Sequence, residues 1–205
     1  MKKTIVLLVM FTLATGAFAQ KVSLDMHLST YAYYPALDSA IVMPSIGVAV
    51  DVGPVDILGN FELGISAEKT KSGGSPGDHT HINSVFGINL GVAPKAKPTD
   101  KLTLSFPIFL NIYVVGQRER YKGTPPDSWT KKYTRGGFGF DAGARTSYAF
   151  SEKWSAYAGF KAELFSFYGK GKSKTFGGSK SDGNTINRYW FDTGSIDLGV
   201  TYTFN

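Results

Sequence analysis

The sequence predicts an all-β fold: an eight-stranded antiparallel up-and-down transmembrane barrel behind an N-terminal signal peptide. Three observations predict it. The 205 residues include 24 Gly, 15 Phe and 11 Tyr, no Cys, and only 19% charged residues. Apolar side chains recur at every second position through eight separate runs. The connections between those runs alternate between short and long. The absence of Cys excludes a disulfide scaffold, a thiolate metal site, a Cys nucleophile and a lipid-modified N-terminal Cys. The aromatic content of 14% is too high, and the charge too low, for a disordered chain.

In chain order, Met1, Lys2 and Lys3 form a basic start, and Thr4–Gly16 an apolar stretch of 13 residues. Ala17, Phe18 and Ala19 form a small-x-small cleavage site. This reads as a secretory signal peptide over residues 1–19, shorter than the roughly 20 apolar residues of a spanning helix. Gln20 is expected to open one mature domain, residues 20–205, whose charge falls from +6 to +4 with the loss of Lys2 and Lys3.

The first strand alternates Val22, Leu24, Met26 and Leu28 with Ser23, Asp25, His27 and Ser29. The second sets Ile46, Val48, Val50 and Val52 against Ser45, Gly47, Ala49 and Asp51. The third sets Phe61, Leu63, Ile65 and Ala67 against Glu62, Gly64, Ser66 and Glu68. The fourth has Phe86, Ile88, Leu90 and Val92 on one face, and the fifth every even position from Leu102 to Val114. In the sixth, Phe138, Phe140, Ala142, Ala144, Tyr148 and Phe150 oppose Asp141, Arg145 and Ser147. In the seventh, Trp154 to Leu164 at even positions oppose Ser155, Lys161 and Glu163. In the eighth, Ile196, Leu198, Val200, Tyr202 and Phe204 oppose Asp197, Thr201 and Thr203.

Soluble sandwiches alternate as well, so strand length and connections decide. Several runs reach ten residues or more. Soluble strands average about five or six, and a tilted membrane strand needs about 9–11. Long connections are expected over 35–44, 69–81, 116–135 and 169–188, and short ones over 53–56, 94–101 and 151–153. This places both termini on the short-turn side. Tyr31, Tyr33, Tyr34, Tyr113, Phe167, Tyr168, Tyr189 and Trp190 are expected near the long loops, and Phe150, Trp154, Tyr202 and Phe204 near the short turns, as two interfacial girdles.

The signal peptide, the eight alternating strands and the aromatic-rich terminal strand Ile196–Phe204 together resemble small bacterial outer-membrane β-barrels of the OmpA, OmpX and OmpW type. The resemblance covers the whole mature chain as architecture. It implies residence in the bacterial outer membrane and a terminal strand read by the barrel assembly machinery. The segment Phe150–Trp154 resembles the periplasmic turns of the group. Asn205 after Phe204 departs from its usual aromatic end, and so do Pro107 within a strand and Asp192 on the outward parity. A bulge, or a position above the bilayer, would accommodate Pro107 and Asp192.

The inward parity gathers Asp25, His27, Asp51, Glu62, Glu68, Asn83, Asn89, Asn111, Asp141, Arg145, Lys161, Glu163 and Asp197. An eight-stranded interior is only wide enough for side chains, and buried charges need partners. A charge network of Glu62, Asp141, Arg145, Lys161 and Glu163 is expected, with Arg145 balanced by the three carboxylates. A gated conduit is the alternative to this static plug. His27 reads as structural, and His79 and His81 as loop residues with no third metal ligand in view. No Ser-centred elbow, phosphate loop or zincin motif is present. No catalytic, cofactor or metal site is expected.

Loops 116–135 and 169–188 each carry a net charge of +4. Arg118, Arg120, Lys122, Lys131, Lys132, Arg135, Lys170, Lys172 and Lys174 are the candidate anion-binding residues, with Tyr121, Trp129 and Tyr133 interleaved. Anionic glycans or glycolipids are the partners such a combination suits; nucleic acid is not expected, and a monomer is. The expected function is a non-catalytic outer-membrane protein with a structural or adhesin-like surface role. A narrow passive channel for small solutes, as in the OmpW group, is the alternative, and a lipid-modifying enzyme a lesser one.

Overall fold

The computed structural model describes residues 21–34, 39–71, 78–122, 129–169, 171–176, 182–183, 187–189 and 194–204. The expected signal peptide, Trp190, Asp192 and Asn205 lie outside the described residues. The strands are β1 (Lys21–Tyr34), β2 (Ser39–Asp51), β3 (Val55–Lys71), β4 (Asp78–Ala96), β5 (Leu102–Ser105), β6 (Ile108–Lys122), β7 (Trp129–Ala149), β8 (Trp154–Tyr168), β9 (Gly171–Phe176), β10 (Asp182–Gly183), β11 (Asn187–Tyr189) and β12 (Gly194–Phe204). Each wall strand pairs antiparallel with its sequence neighbour, and β12 returns to pair with β1 from Val22↔Phe204 to Tyr31↔Ser195. With β5 and β6 sharing one wall position, the ring closes on eight walls. Closure removes the free edge that an open sheet would present.

Pro107 divides the fifth wall, yet no bulge forms there. Ser105 pairs with Arg145 and Ile108 with Ala142 in one continuous register. The Pro107 carbonyl accepts from the Gly143 amide at 2.9 Å. The missing amide therefore costs one ladder bond on the β7 side, and pairing resumes at once. Pro44 has a similar effect in β2: it stays paired with Leu28 of β1, while the ladder to β3 skips from Val42↔Ile65 to Ser45↔Glu62. The register shifts elsewhere, between Tyr31 and Tyr34 of β1 and in β8. Phe140 pairs with Phe165 but Asp141 with Glu163, which leaves Leu164 as an extra residue in β8. Parity then flips, so Ser166 and Tyr168 point inward.

The short turns fall where expected. Asp51 Oδ1 accepts the Gly53 amide at 2.8 Å, and Gly53 takes a φ of 91°, which glycine adopts without strain. Ser151 Oγ accepts the Trp154 amide at 3.0 Å in the next turn. The long connections differ from expectation. Most of 39–44, 69–71, 78–81, 116–122 and 129–135 is strand, paired across β1–β2, β3–β4, β4–β6 and β6–β7. A ladder needs backbone amides and carbonyls, not apolar side chains, so the strands continue where the apolar alternation stops. Within 169–188, β9 pairs with β7 over Thr130–Thr134 and extends the wall further.

The outward face carries an apolar belt. Val48, Phe61, Leu63, Ile65, Phe86, Leu90, Ile108, Leu110, Ile112, Val114, Phe138, Phe140, Phe160 and Leu198 are all exposed. A continuous apolar surface of this extent fits hydrocarbon rather than water. At the short-turn end Phe150, Trp154 and Phe204 are exposed, and Trp154 and Tyr202 pack with ring centroids 4.9 Å apart. Of the opposite girdle, the side chains of Tyr33, Tyr34 and Tyr189 lie outside the described residues, and three members are not where expected. Tyr31, Tyr113 and Tyr168 are buried inside the barrel. Their parity is that of His27 and Asn111, shifted for Tyr168 by the bulge.

Candidate functional site

Inward side chains stack in layers. At the short-turn mouth lies a cavity of about 490 Å³, with Lys95 bridging Asp51 and Asp56 at 2.9 and 2.6 Å. Its floor is Arg145, whose guanidinium carbon lies 3.8 Å from the Tyr157 ring centroid and whose Nη1 lies 3.3 Å from Asp25 Oδ2. Tyr157 donates its hydroxyl to Asp25 Oδ1 at 2.9 Å. Leu58 of β3, Ala93 of β4 and Phe109 of β6 pack together across three successive walls.

The middle layer is charged. Lys161 Nζ lies 3.2 Å from Glu62 Oε1 and 3.6 Å from Asp197 Oδ2. β8 and β3 stand on opposite sides of the ring, so the Lys161–Glu62 pair ties the barrel across its diameter. His27 sits between two carboxylates, with Nδ1 2.6 Å from Asp25 Oδ1 and Nε2 3.7 Å from Glu62 Oε1. A general base would need a hydroxyl nucleophile where Glu62 stands. Asn60, Asn89, Asn111, Asp141 and Glu163 are buried at neighbouring levels, and Asp141 faces Glu163 across β7 and β8.

Above this layer, Tyr31, Ile41, Met43, Val85, Tyr113, Val115 and Tyr168 form an apolar cap. Tyr113 and Tyr168 are stacked at 6.3 Å. Gly137 permits this packing, because a Cβ there would lie 2.5 Å from the Tyr168 ring. Arg135 closes the stack, its guanidinium carbon 4.9 Å from the Tyr168 centroid.

Of the expected network, Lys161 and Glu62 are joined directly. Arg145 takes Asp25 rather than Glu62, Asp141 or Glu163, because Lys161 holds Glu62 and Arg145 lies one layer nearer the mouth. Asp25, His27, Tyr157 and Asp197 complete the cluster and share its inward parity, the one signal that could have placed them in it.

The candidate anion-binding residues divide by parity. Arg118, Arg120 and Lys122 of β6 and Lys132 of β7 are exposed on the outward face, continuing the rows of Val114 and Phe138. Tyr121 and Tyr133 are half-buried on the inward parity, and Arg135 is only 7% exposed. Residues interleaved in sequence thus stand on opposite faces of the strand. Lys131 pairs with Glu119 and Thr175 in the ladder, and Lys172 and Lys174 stand opposite Thr134 and Lys132. Lys170 lies outside the described residues. His79 and His81 belong to β4 rather than to a loop, opposite Tyr121 and Glu119. Among the described residues, no group of three or more His, Cys, Asp or Glu side chains could hold a metal ion.

No protein-family model and no curated protein matches the sequence. Solved structures do. A major outer membrane protein from Thermus thermophilus matches with a TM-score of 0.59 at 11% identity, over 89% of this chain and 99% of its own. Ail, the attachment invasion locus protein of Yersinia pestis, solved with the heparin analogue sucrose octasulfate, matches at 0.48 and 11%, over 90% and 97%. The outer membrane protease OmpT from Escherichia coli matches at 0.49 and 9%, over 91% and 97%. At such identities the likeness concerns the fold, which is that of an outer-membrane β-barrel.

Proposed function

We propose that this chain is an integral protein of the bacterial outer membrane with a closed, non-catalytic lumen, acting at its outer end as an adhesin-like surface protein that binds polyanions. The observation that carries the reading is the wall above the apolar belt, where the exposed positions of β6 and β7 hold Arg118, Arg120, Lys122 and Lys132. A rigid ladder holds these cations at fixed spacing, so a multivalent anion meets several at once. The short-turn side, with both strand ends Lys21 and Phe204, is the periplasmic side in this reading. The terminal strand is the segment the assembly machinery would engage, and the working form is a monomer.

Refolded protein in neutral phosphatidylcholine vesicles is expected to bind dextran sulfate at low ionic strength and release it near 1 M salt, where the Debye length is about 3 Å. The triple variant Arg118→Gln, Arg120→Gln, Lys132→Gln is expected to lose binding. Arg135 is left intact because its ring contacts would be disturbed. Binding that survives both the variant and high salt would remove the polyanion reading.

The apolar cap supports a non-conducting lumen over the channel alternative. An ion crossing it would have to shed water among Ile41, Met43, Val85 and Val115. Planar bilayers holding the protein should show no steady conductance above the lipid background, and discrete single-channel steps would contradict the cap's role as a seal.

A further inference from the structure

The outward cations share a surface with the apolar belt. On β6 the exposed row runs Ile108, Leu110, Ile112, Val114 and then, past Gly116, Arg118, Arg120 and Lys122. On β7 it runs Phe140, Phe138, then Thr134 and Lys132. These side chains point sideways, into the layer that surrounds the barrel.

The height of Arg118, and of Lys132 directly opposite it, fits that layer. Arg118 lies four residues beyond Val114, about 13 Å along a strand and about 10 Å of height at ~40° tilt. The headgroup region extends roughly 5–8 Å beyond the hydrocarbon on each side. Long cationic side chains reach along the wall to meet it.

The ladder also crowds like charges. Arg118 stands directly opposite Lys132, and Lys132 opposite Lys174 of β9. Glu119, the acid nearest in sequence, has inward parity. Among the described residues, Arg118, Arg120 and Lys122 have no ion-pair partner. An anion bridging the row would give Arg118 and Arg120 the partner they lack. Phosphate suits this, since its oxygens can accept from a guanidinium in bidentate fashion and from an ammonium at the same time.

We propose that Arg118 and Lys132, with Arg120 reaching down from the next position of the row, seat the phosphate-bearing headgroups of lipids in the leaflet around the barrel's outer end. This rests on the polyanion reading above and names its ligand: a phosphorylated lipid in the plane of the membrane. The site is lateral, and its occupant also touches the belt at Val114 and Phe138.

The test uses the refolded full mature chain in phosphatidylcholine bilayers containing a trace of spin-labelled lipid. The motionally restricted spectral fraction gives relative affinity for the barrel surface. Spin-labelled phosphatidic acid is expected to be enriched about threefold or more over spin-labelled phosphatidylcholine, given the attraction of clustered Lys and Arg for anionic headgroups. The variant Arg118→Gln, Arg120→Gln, Lys132→Gln should bring the ratio close to one while keeping the folded gel mobility. Lys97→Gln, Lys101→Gln, Lys153→Gln, at the opposite mouth, should leave most of the enrichment. A wild-type ratio near one overturns the proposal, and so does equal loss in the two triple variants. If that ratio is near one while dextran sulfate still binds, the polyanion reading stands and its lipid assignment falls. If neither binds, both fall.

Discussion

Lys161→Ala is expected to lower the unfolding free energy by about 3–5 kcal/mol, because it strands two buried carboxylates. Lys161 is 3% exposed and lies between Glu62 of β3 and Asp197 of β12, themselves 1% and 2% exposed. Removing the ammonium leaves two anions in a sealed layer and cuts a tie across the diameter. The double variant Lys161→Met, Glu62→Gln removes one stranded charge and keeps the volume, so it should recover part of the loss. Arg120→Ala, on the exposed wall, should change stability by no more than about 0.5 kcal/mol. Urea unfolding from detergent micelles measures all three. Equal costs for Lys161→Ala and Arg120→Ala would mean that the middle layer is not a stabilising network.

Leu110→Arg is expected to cost about 2–4 kcal/mol, the penalty for a cation on the hydrocarbon face near the midplane of a membrane barrel. Leu110 is exposed at 37% within the apolar belt, while Asn111, one residue on, is 1% exposed inside the lumen. Arg118→Leu, eight residues along the same face, removes no hydrocarbon-buried charge and should be close to neutral. Spin labels at positions 110 and 111 should report opposite environments: accessible to a lipid-soluble relaxant at 110 and shielded at 111. Like responses at both positions would show that the two faces have been misassigned.

Parity made the wall and its lining legible in the sequence. A two-residue period fixes the face of every side chain within a strand, so Glu62, Asp141, Lys161 and Glu163 could be placed inside without any coordinates. Parity does not mark where a strand ends. Gln117 to Lys122 continue the ladder with polar side chains, and hydropathy registers only the loss of apolar residues there. Nor does it announce a bulge: Leu164 looks like one more outward residue, yet it moves Tyr168 from the wall to the cap. The choice of partners inside the lumen depends on height and on which walls face each other. Arg145 therefore finds Asp25, three walls away, rather than the acids nearer in sequence. The aromatic residues near the long connections were misleading for a related reason. Position along the strand suggested a girdle, while the odd numbers of Tyr31 and Tyr113 already assigned them to the interior.

The cations show both sides of this. Composition located basic segments around 116–135 and 169–188 in the chain. Their interleaving with Tyr121 and Tyr133 suggested one mixed surface, which the alternation of a strand does not allow. What the ladder builds instead is a cationic outer wall and an aromatic inner rim.

Membrane fractionation of cells expressing the full chain, combined with gel mobility before and after boiling, decides whether the closed barrel resides in the outer membrane. A closed ladder with an apolar belt should stay with outer membranes through an alkaline wash and resist detergent until heated. The protein should be confined to that fraction, with unboiled protein migrating apart from boiled protein. Recovery in the soluble periplasmic fraction, with one mobility under both conditions, would contradict the membrane-barrel assignment.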